Sequence, residues 1–185
     1  MPIDLLIQRL KDPTQKRLAF HELVSTYQRR LYWHIRKIVI DHDDTDDILQ
    51  TVFMKAWGSI DGFREESSLF TWLFRIATNE ALTFLAQKKK RKGFFVRSDE
   101  EYLLEKFSSD QYFDGDELHR KLMVAVLKLP EKQRVVFNMK YFDEMKYEQI
   151  SEILGTSVGA LKASYHHAVK KIEESIKIEV DNEIN

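Results

Sequence analysis

Glycine and proline are scarce in this chain, with six glycines and three prolines among 185 residues. These residues interrupt helices, glycine through excess backbone freedom and proline through its missing amide and fixed ring, so long stretches without them can stay helical. Apolar side chains recur at spacings of three and four, as a helix with one buried face requires, and strands find little support. The fold class is therefore expected to be all-α.

One long helix is predicted from about Thr14 to Val39, with Phe20, Leu23, Tyr27, Leu31, His34 and Ile38 on one stripe. A second is expected to start near Asp43, where an acidic first turn favours a helix N-terminus, and to carry Ile48, Val52, Phe53, Ala56, Trp57 and Ile60. Asp61-Gly62 ends it, and a loop leads from there to about Ser68. A third helix then carries Leu69, Leu73, Ile76, Ala77, Ala81 and Leu85 and closes in the basic run Lys88 to Lys92. The stretch from Gly93 to Gly115 loses clear periodicity and gains Asp, Glu, Ser and Gly, which reads as a linker. Further on, a helix through Leu118, Leu122, Ala125 and Leu129 stops at Pro130. Another runs from Glu131 to about Tyr141, a short one from Tyr147 to Leu154, and a last from about Ser157 into the tail.

Charge follows the same division. Residues 1 to 92 carry 16 basic and 12 acidic side chains, residues 93 to 117 carry 2 and 8, and residues 118 to 185 carry 11 and 10. A mildly basic module, an acidic segment and a near-neutral module are thus hidden under a net charge of -1. We expect two small helical domains, 1–92 and 116–178, joined by a flexible acidic linker, 93–115, with a tail at 179–185. Zero cysteines rule out disulfides and thiolate metal sites. No apolar run approaches the ~20 residues that span a bilayer, so no membrane insertion and a cytoplasmic location are expected.

The strongest local motif is YEQISEILGTSVGALKASYHHAVKKI, residues 147 to 172. Ile150, Ile153 and Leu154 form the inner face of a short helix and Gly155 supplies a left-handed turn. Ser157 can cap a second helix whose Val158, Leu161 and Val169 face inward. This is helix-turn-helix spacing, which sets the exposed start of the second helix in the major groove of DNA. Ser157, Ala160, Lys162, Ala163 and Ser164 would face the bases, with His167 and Lys170 near phosphates. The segment Gly62 to Leu82 interleaves Phe63, Phe70, Trp72 and Phe74 with Arg64, Arg75 and Asn79. Stacking rings, guanidinium and amide groups suit single-stranded nucleic acid, and the alternative is that most of these rings are core. The run Lys88 to Lys92, with Lys88 and Lys89 at its start, favours phosphate contact over a merely solvated helix end. Asp41 to Asp47 lacks regular metal-ligand spacing and is explained by a helix start, so no metal and no cofactor are expected. No P-loop, G-x-S-x-G or H-E-x-x-H occurs, so no enzyme is expected.

Taken in order, these pieces resemble the extracytoplasmic-function class of sigma factors, the promoter-recognition subunits of bacterial RNA polymerase. TDDILQTVFMKAWGSIDGFREESSLFTWLFRIATNEAL is similar to that family's region 2, and LPEKQRVVFNMKYFDEMKYEQISEILGTSVGALKASYHHAVKKI to its region 4. The resemblance implies that Asp47 and Gln50, with Asp46 and Phe53 beside them, dock on the polymerase clamp helices. It implies that the loop around Phe63, Arg64, Ser67 and Ser68 captures a flipped base of the melted minus-ten strand, next to Trp72, Arg75 and Asn79. Region 4 would read the duplex minus-thirty-five element. Core RNA polymerase and promoter DNA are the implied partners, with an anti-sigma factor as a further one. Thr51 stands where the family usually has an acidic residue, and Ala160, Ala163, His167 and Val169 where more polar or basic ones are common. The rival readings are a helix-turn-helix regulator that works without polymerase, and a helical adaptor that never touches DNA.

Overall fold

The computed structural model describes residues 3–91, 99–109 and 117–184, and every regular element among them is helical. The chain divides into two compact units, 1–87 and 88–185.

The first unit begins with a helix ahead of those expected, α1 (Ile3–Lys11), which buries Leu6, Ile7 and Leu10. Its partner is α2 (Lys16–Val39), against which it is fastened by the Arg9 guanidinium, whose two terminal nitrogens reach the Glu22 carboxylate at 2.8 to 3.0 Å. At the corner between them the Asp12 carboxylate accepts from the Thr14 amide (2.9 Å), the Thr14 hydroxyl (2.7 Å) and the Gln15 side-chain amide (2.9 Å). Along α2 the stripe Leu23, Tyr27, Leu31, His34, Ile38 is buried as expected, with Phe20 at its edge half-buried. Each fully buried aliphatic side chain here contributes ~1.5 to 3 kcal/mol. The helix ends where Ile40 turns to φ 69.

Helix α3 (His42–Ser59) starts one residue earlier than expected because Asp41 caps it. The Asp41 carboxylate accepts from the Asp44 amide at 3.1 Å and its carbonyl accepts from the Thr45 hydroxyl at 2.6 Å. Ile48, Val52, Ala56 and Ile60 are buried, but Trp57, expected inward, is 41% exposed. The reason is geometric: Val52, Ala56 and Ile60 complete a buried i, i+4, i+8 row, and Trp57 falls about 100° from Ala56, at the rim. A single 3-10 turn (Ile60–Gly62) leads to the loop before α4 (Leu69–Arg91), on which Leu69, Leu73, Phe74, Ala77 and Ala81 are buried.

In the second unit, the segment read as linker is not featureless: α5 (Asp99–Ser108) lies inside it. Its Leu103 and Phe107, one turn apart, are buried, and α5 packs on α6 (Glu117–Leu127). Residues 93–98 and 110–115 of that segment, with Lys92 before it and Asp116 after it, and the side chains of Lys89, Asp99, Glu100 and Glu101, lie outside the described residues. Beyond Pro130, α7 (Glu131–Phe137) continues as one π-helical turn, Asn138–Phe142. The buried Arg134 donates to the Leu127 carbonyl (3.4 Å) and the Leu129 carbonyl (3.3 Å), acceptors that the end of α6 leaves unpaired. Helix α8 (Tyr147–Leu154) and the long α9 (Val158–Ile184) follow. The core of this unit gathers Ala125, Val126, Leu129, Phe137, Ala168 and Ile172, while Val169, expected inward, packs at its edge.

Candidate functional site

Three groups of side chains present themselves outward. The first lies on α3. Asp46, Asp47 and Gln50 are exposed on the face opposite Thr45, Ile48 and Val52, and Phe53 is half-buried with its ring edge-on to Phe20 at 6.4 Å. Continuing that face at helical spacing, Met54 is 68% exposed, and Trp57 packs edge-on to Phe20 at 5.0 Å beneath the Lys16 ammonium. Met54 stands four residues after Gln50, so the helical repeat brings the two onto one face. The Thr51 hydroxyl donates to the Asp47 carbonyl at 2.9 Å, folding back on its own helix rather than extending the acidic face. At the N-terminal end, His42 bridges the Tyr32 hydroxyl (2.8 Å to Nδ1) and the Asp46 carboxylate (3.7 Å to Nε2).

The second group is the loop 63–68 with the first turns of α4. Phe63 is only 6% exposed and its ring packs on Trp72 at 5.2 Å, so Phe63 supports the loop from inside while Trp72 shows a partial face. Arg64 points into solvent, and Glu65 takes φ 61. The Ser68 hydroxyl is occupied with capping α4, accepting from the Thr71 amide at 3.1 Å and sharing a hydrogen bond with the Thr71 hydroxyl at 2.9 Å. Ser67 is half-buried, Arg75 half-buried, and Asn79 exposed. Phe70 and Phe74, on the opposite side of α4, face Arg30 of α2, whose guanidinium lies 4.6 Å from the Phe70 ring centre. They belong to packing, as the alternative reading of the aromatics expected. Lys88 sits over the Tyr102 ring at 5.0 Å, so α5 gives the start of the basic run a neighbour that sequence did not suggest.

The third group is the α8–α9 pair. Gly155 adopts φ 64, the left-handed turn, and the Ser157 hydroxyl accepts from the Ala160 amide at 3.3 Å, capping α9. Leu161 is buried, whereas Ser157, Ala160, Lys162, Ala163, His167 and Lys170 are exposed and Ser164 is half-buried. The Tyr147 ring lies beneath both Lys140 (5.0 Å) and Lys162 (5.8 Å), an arrangement that restrains the Lys162 ammonium near the start of α9. Burial raises the pKa of the Tyr147 and Tyr165 phenols above the ordinary value, the neighbouring tyrosines adding to the effect on Tyr165, so both are neutral near pH 7.

Comparison with known proteins falls on these same groups. Residues 23–91 match Sigma-70 region 2 and residues 119–172 match Sigma-70, region 4. An ECF RNA polymerase sigma-E factor of Haemophilus influenzae is 29% identical over 93% of this chain and 94% of its own. The ECF RNA polymerase sigma factor SigW of Bacillus subtilis is 28% identical over 96% and 98%. Among solved structures, the sigma factor RpoE in complex with the anti-sigma factor NepR from Bartonella quintana is similar, with a TM-score of 0.66 and 25% identity, covering 86% of this chain and 97% of that one. CnrH in complex with the cytosolic domain of CnrY shares the fold, with a TM-score of 0.67 and 23% identity over 95% and 97%. With region 2 carrying the acidic helix and the aromatic loop, and region 4 the helix-turn-helix, the chain belongs to the sigma-70 family of RNA polymerase sigma factors, in its extracytoplasmic-function group.

Proposed function

We propose that this chain directs core RNA polymerase to specific promoters for transcription initiation and helps to open the DNA there, contributing recognition rather than catalysis. The observation that carries the reading is the α8–α9 pair: a left-handed glycine, a capped second helix and an exposed first turn and a half holding Ala160, Lys162 and Ala163 over a buried Leu161. That geometry suits the major groove, with the small alanines admitting close approach to thymine methyls and the exposed Lys162, held beside the Tyr147 ring at the start of α9, placed to meet a base edge or phosphate.

In this reading Asp46, Asp47 and Gln50, flanked by Phe53, dock on polymerase. The loop around Arg64 and Ser67, with Trp72, Arg75 and Asn79, holds the melted minus-ten strand, and Lys88 and Lys89 meet its phosphates. Phe63 and Ser68 shape that loop from within, since one is buried and the other caps α4. Ser157, Ala160, Lys162, Ala163 and Ser164 read the minus-thirty-five duplex, with His167 and Lys170 at its backbone. The work is done in the cytoplasm, where polymerase is. An anti-sigma factor fits as a further partner, because RpoE was solved bound to one.

The test is transcription reconstituted from core polymerase and this chain on a library of promoter fragments. Initiation that selects a two-part sequence, with permanganate-reactive thymines appearing in its minus-ten half, is the expected result. Initiation without sequence selection, or selection without any strand opening, defeats the corresponding half of the reading.

A further inference from the structure

The loop 63–68 is tied to a helix far from it in sequence. Lys11, the last residue of α1, bonds Glu65 with its ammonium 2.5 Å from Oε1, and Lys16, the first residue of α2, bonds Asp61 at 2.7 Å. The two lysines flank one corner of the chain, and the two carboxylates flank the start of the loop. The corner itself is ordered by the Asp12 carboxylate, which accepts from Thr14 and Gln15. Lys16 is restrained further by the Trp57 ring, 4.7 Å from its nitrogen. Arg9, one turn before the corner, locks α1 to α2 through Glu22.

Glu65 holds φ 61, a conformation in which a β-carbon crowds the following carbonyl and which glycine adopts without cost. A residue with a side chain persists there when its surroundings over-determine the conformation. The Lys11 pair supplies such a determinant, because an ion pair at this exposure and the cost of a left-handed residue are of the same order. The turn at Glu65 follows directly after the reversal in which Phe63 is buried and Arg64 is directed to solvent.

We propose that Lys11 is a positioning residue for DNA recognition: through Glu65, and seconded by Lys16 and Asp61, it braces the minus-ten loop in the shape that presents Arg64 and Ser67 to the melted strand. Helix α1 is then a lever on the loop rather than a passive N-terminal cover. This rests on the reading of the loop as the single-strand site. An unbraced loop samples more conformations and must be ordered by DNA at binding, which weakens the preferred sequence more than a non-specific one. The expected size is small but measurable, roughly two- to fivefold, as for one exposed pair.

The experiment uses the full chain bound to core polymerase, probed with single-stranded oligonucleotides carrying the preferred minus-ten sequence or one base change at the captured position. Hydrogen exchange of the amides between residues 61 and 68 is followed in the free chain. Lys11→Glu is expected to accelerate exchange in the loop and to lower the affinity ratio between the two oligonucleotides about two- to fivefold. The charge swap, Lys11→Glu with Glu65→Lys, is expected to restore both. Unchanged exchange, an unchanged ratio, or a swap that fails to restore them overturns the brace. A wild-type chain without any preference between the oligonucleotides would remove the base-capture reading instead, which the exchange measurement distinguishes because it involves no DNA.

Discussion

The Nε2 nitrogen of His34 lies 2.9 Å from the hydroxyl of Thr78, and that hydroxyl donates onward to the Phe74 carbonyl at 2.7 Å. The Thr78 hydroxyl thus joins α2 to α4 through a buried polar link to the His34 ring. Removing the hydroxyl takes that partner from the buried ring nitrogen. Thr78→Val is therefore expected to cost about 1 to 3 kcal/mol, and Thr78→Ser much less. All three tryptophans, Trp33, Trp57 and Trp72, belong to the first unit, so urea unfolding followed by tryptophan fluorescence reads this change directly. A valine variant as stable as wild type would contradict the link.

Gly155 offers a cleaner backbone test in the second unit. A β-carbon there would meet nothing within 4 Å, so space is not the issue, and the penalty arises only from φ 64. Gly155→Ala should destabilise the helix-turn-helix by ~1 to 2 kcal/mol, and Gly155→Asn by less, in thermal melts followed by circular dichroism. Equal melting of the alanine and asparagine variants with wild type would show that the turn relaxes.

On α3, Asp47→Arg with Gln50→Ala alters two exposed residues on the face opposite the buried row. Binding to core polymerase is expected to fall by more than ~10-fold, about 1.4 kcal/mol or more, with helicity unchanged. Retained affinity in a pull-down with labelled core enzyme refutes the docking assignment.

Lys162→Ala and Ser157→Ala separate contact from architecture on α9. The first removes an exposed cation, so duplex promoter affinity should drop and the salt slope should shrink by ~0.9 if it meets one phosphate. The second removes the hydroxyl that accepts from Ala160, so the loss should register as ~0.5 to 2 kcal/mol of stability. A salt titration of duplex binding beside a thermal melt distinguishes the two, and interchangeable behaviour would argue against both roles.

Severing the chain within the acidic segment 93–115 should abolish promoter opening at concentrations where the intact chain works, because a tether supplies an effective concentration in the millimolar range. Mixed halves that open promoters equally well would make the connecting segment dispensable.

Sequence by itself determined what is local. The helix starts at Ser68 and Ser157 are written as short polar residues before apolar repeats, and Gly155 marks its own turn, because caps and left-handed turns involve neighbours within a few residues. The outward display of Asp47, Gln50, Ala160 and Lys162 follows from the same helical repeat. Tertiary structure decided what depends on distant partners. Phe63 turned inward because Trp72 covers it, Trp57 turned to the rim because Phe20 and Lys16 meet it there, and α5 formed within an acidic stretch because Leu103 and Phe107 have α6 to bury against. The positive φ of Glu65 is the plainest case: nothing in a glutamate announces a left-handed turn, and the lysine that meets it lies 54 positions away, so only the folded chain could bring the two together.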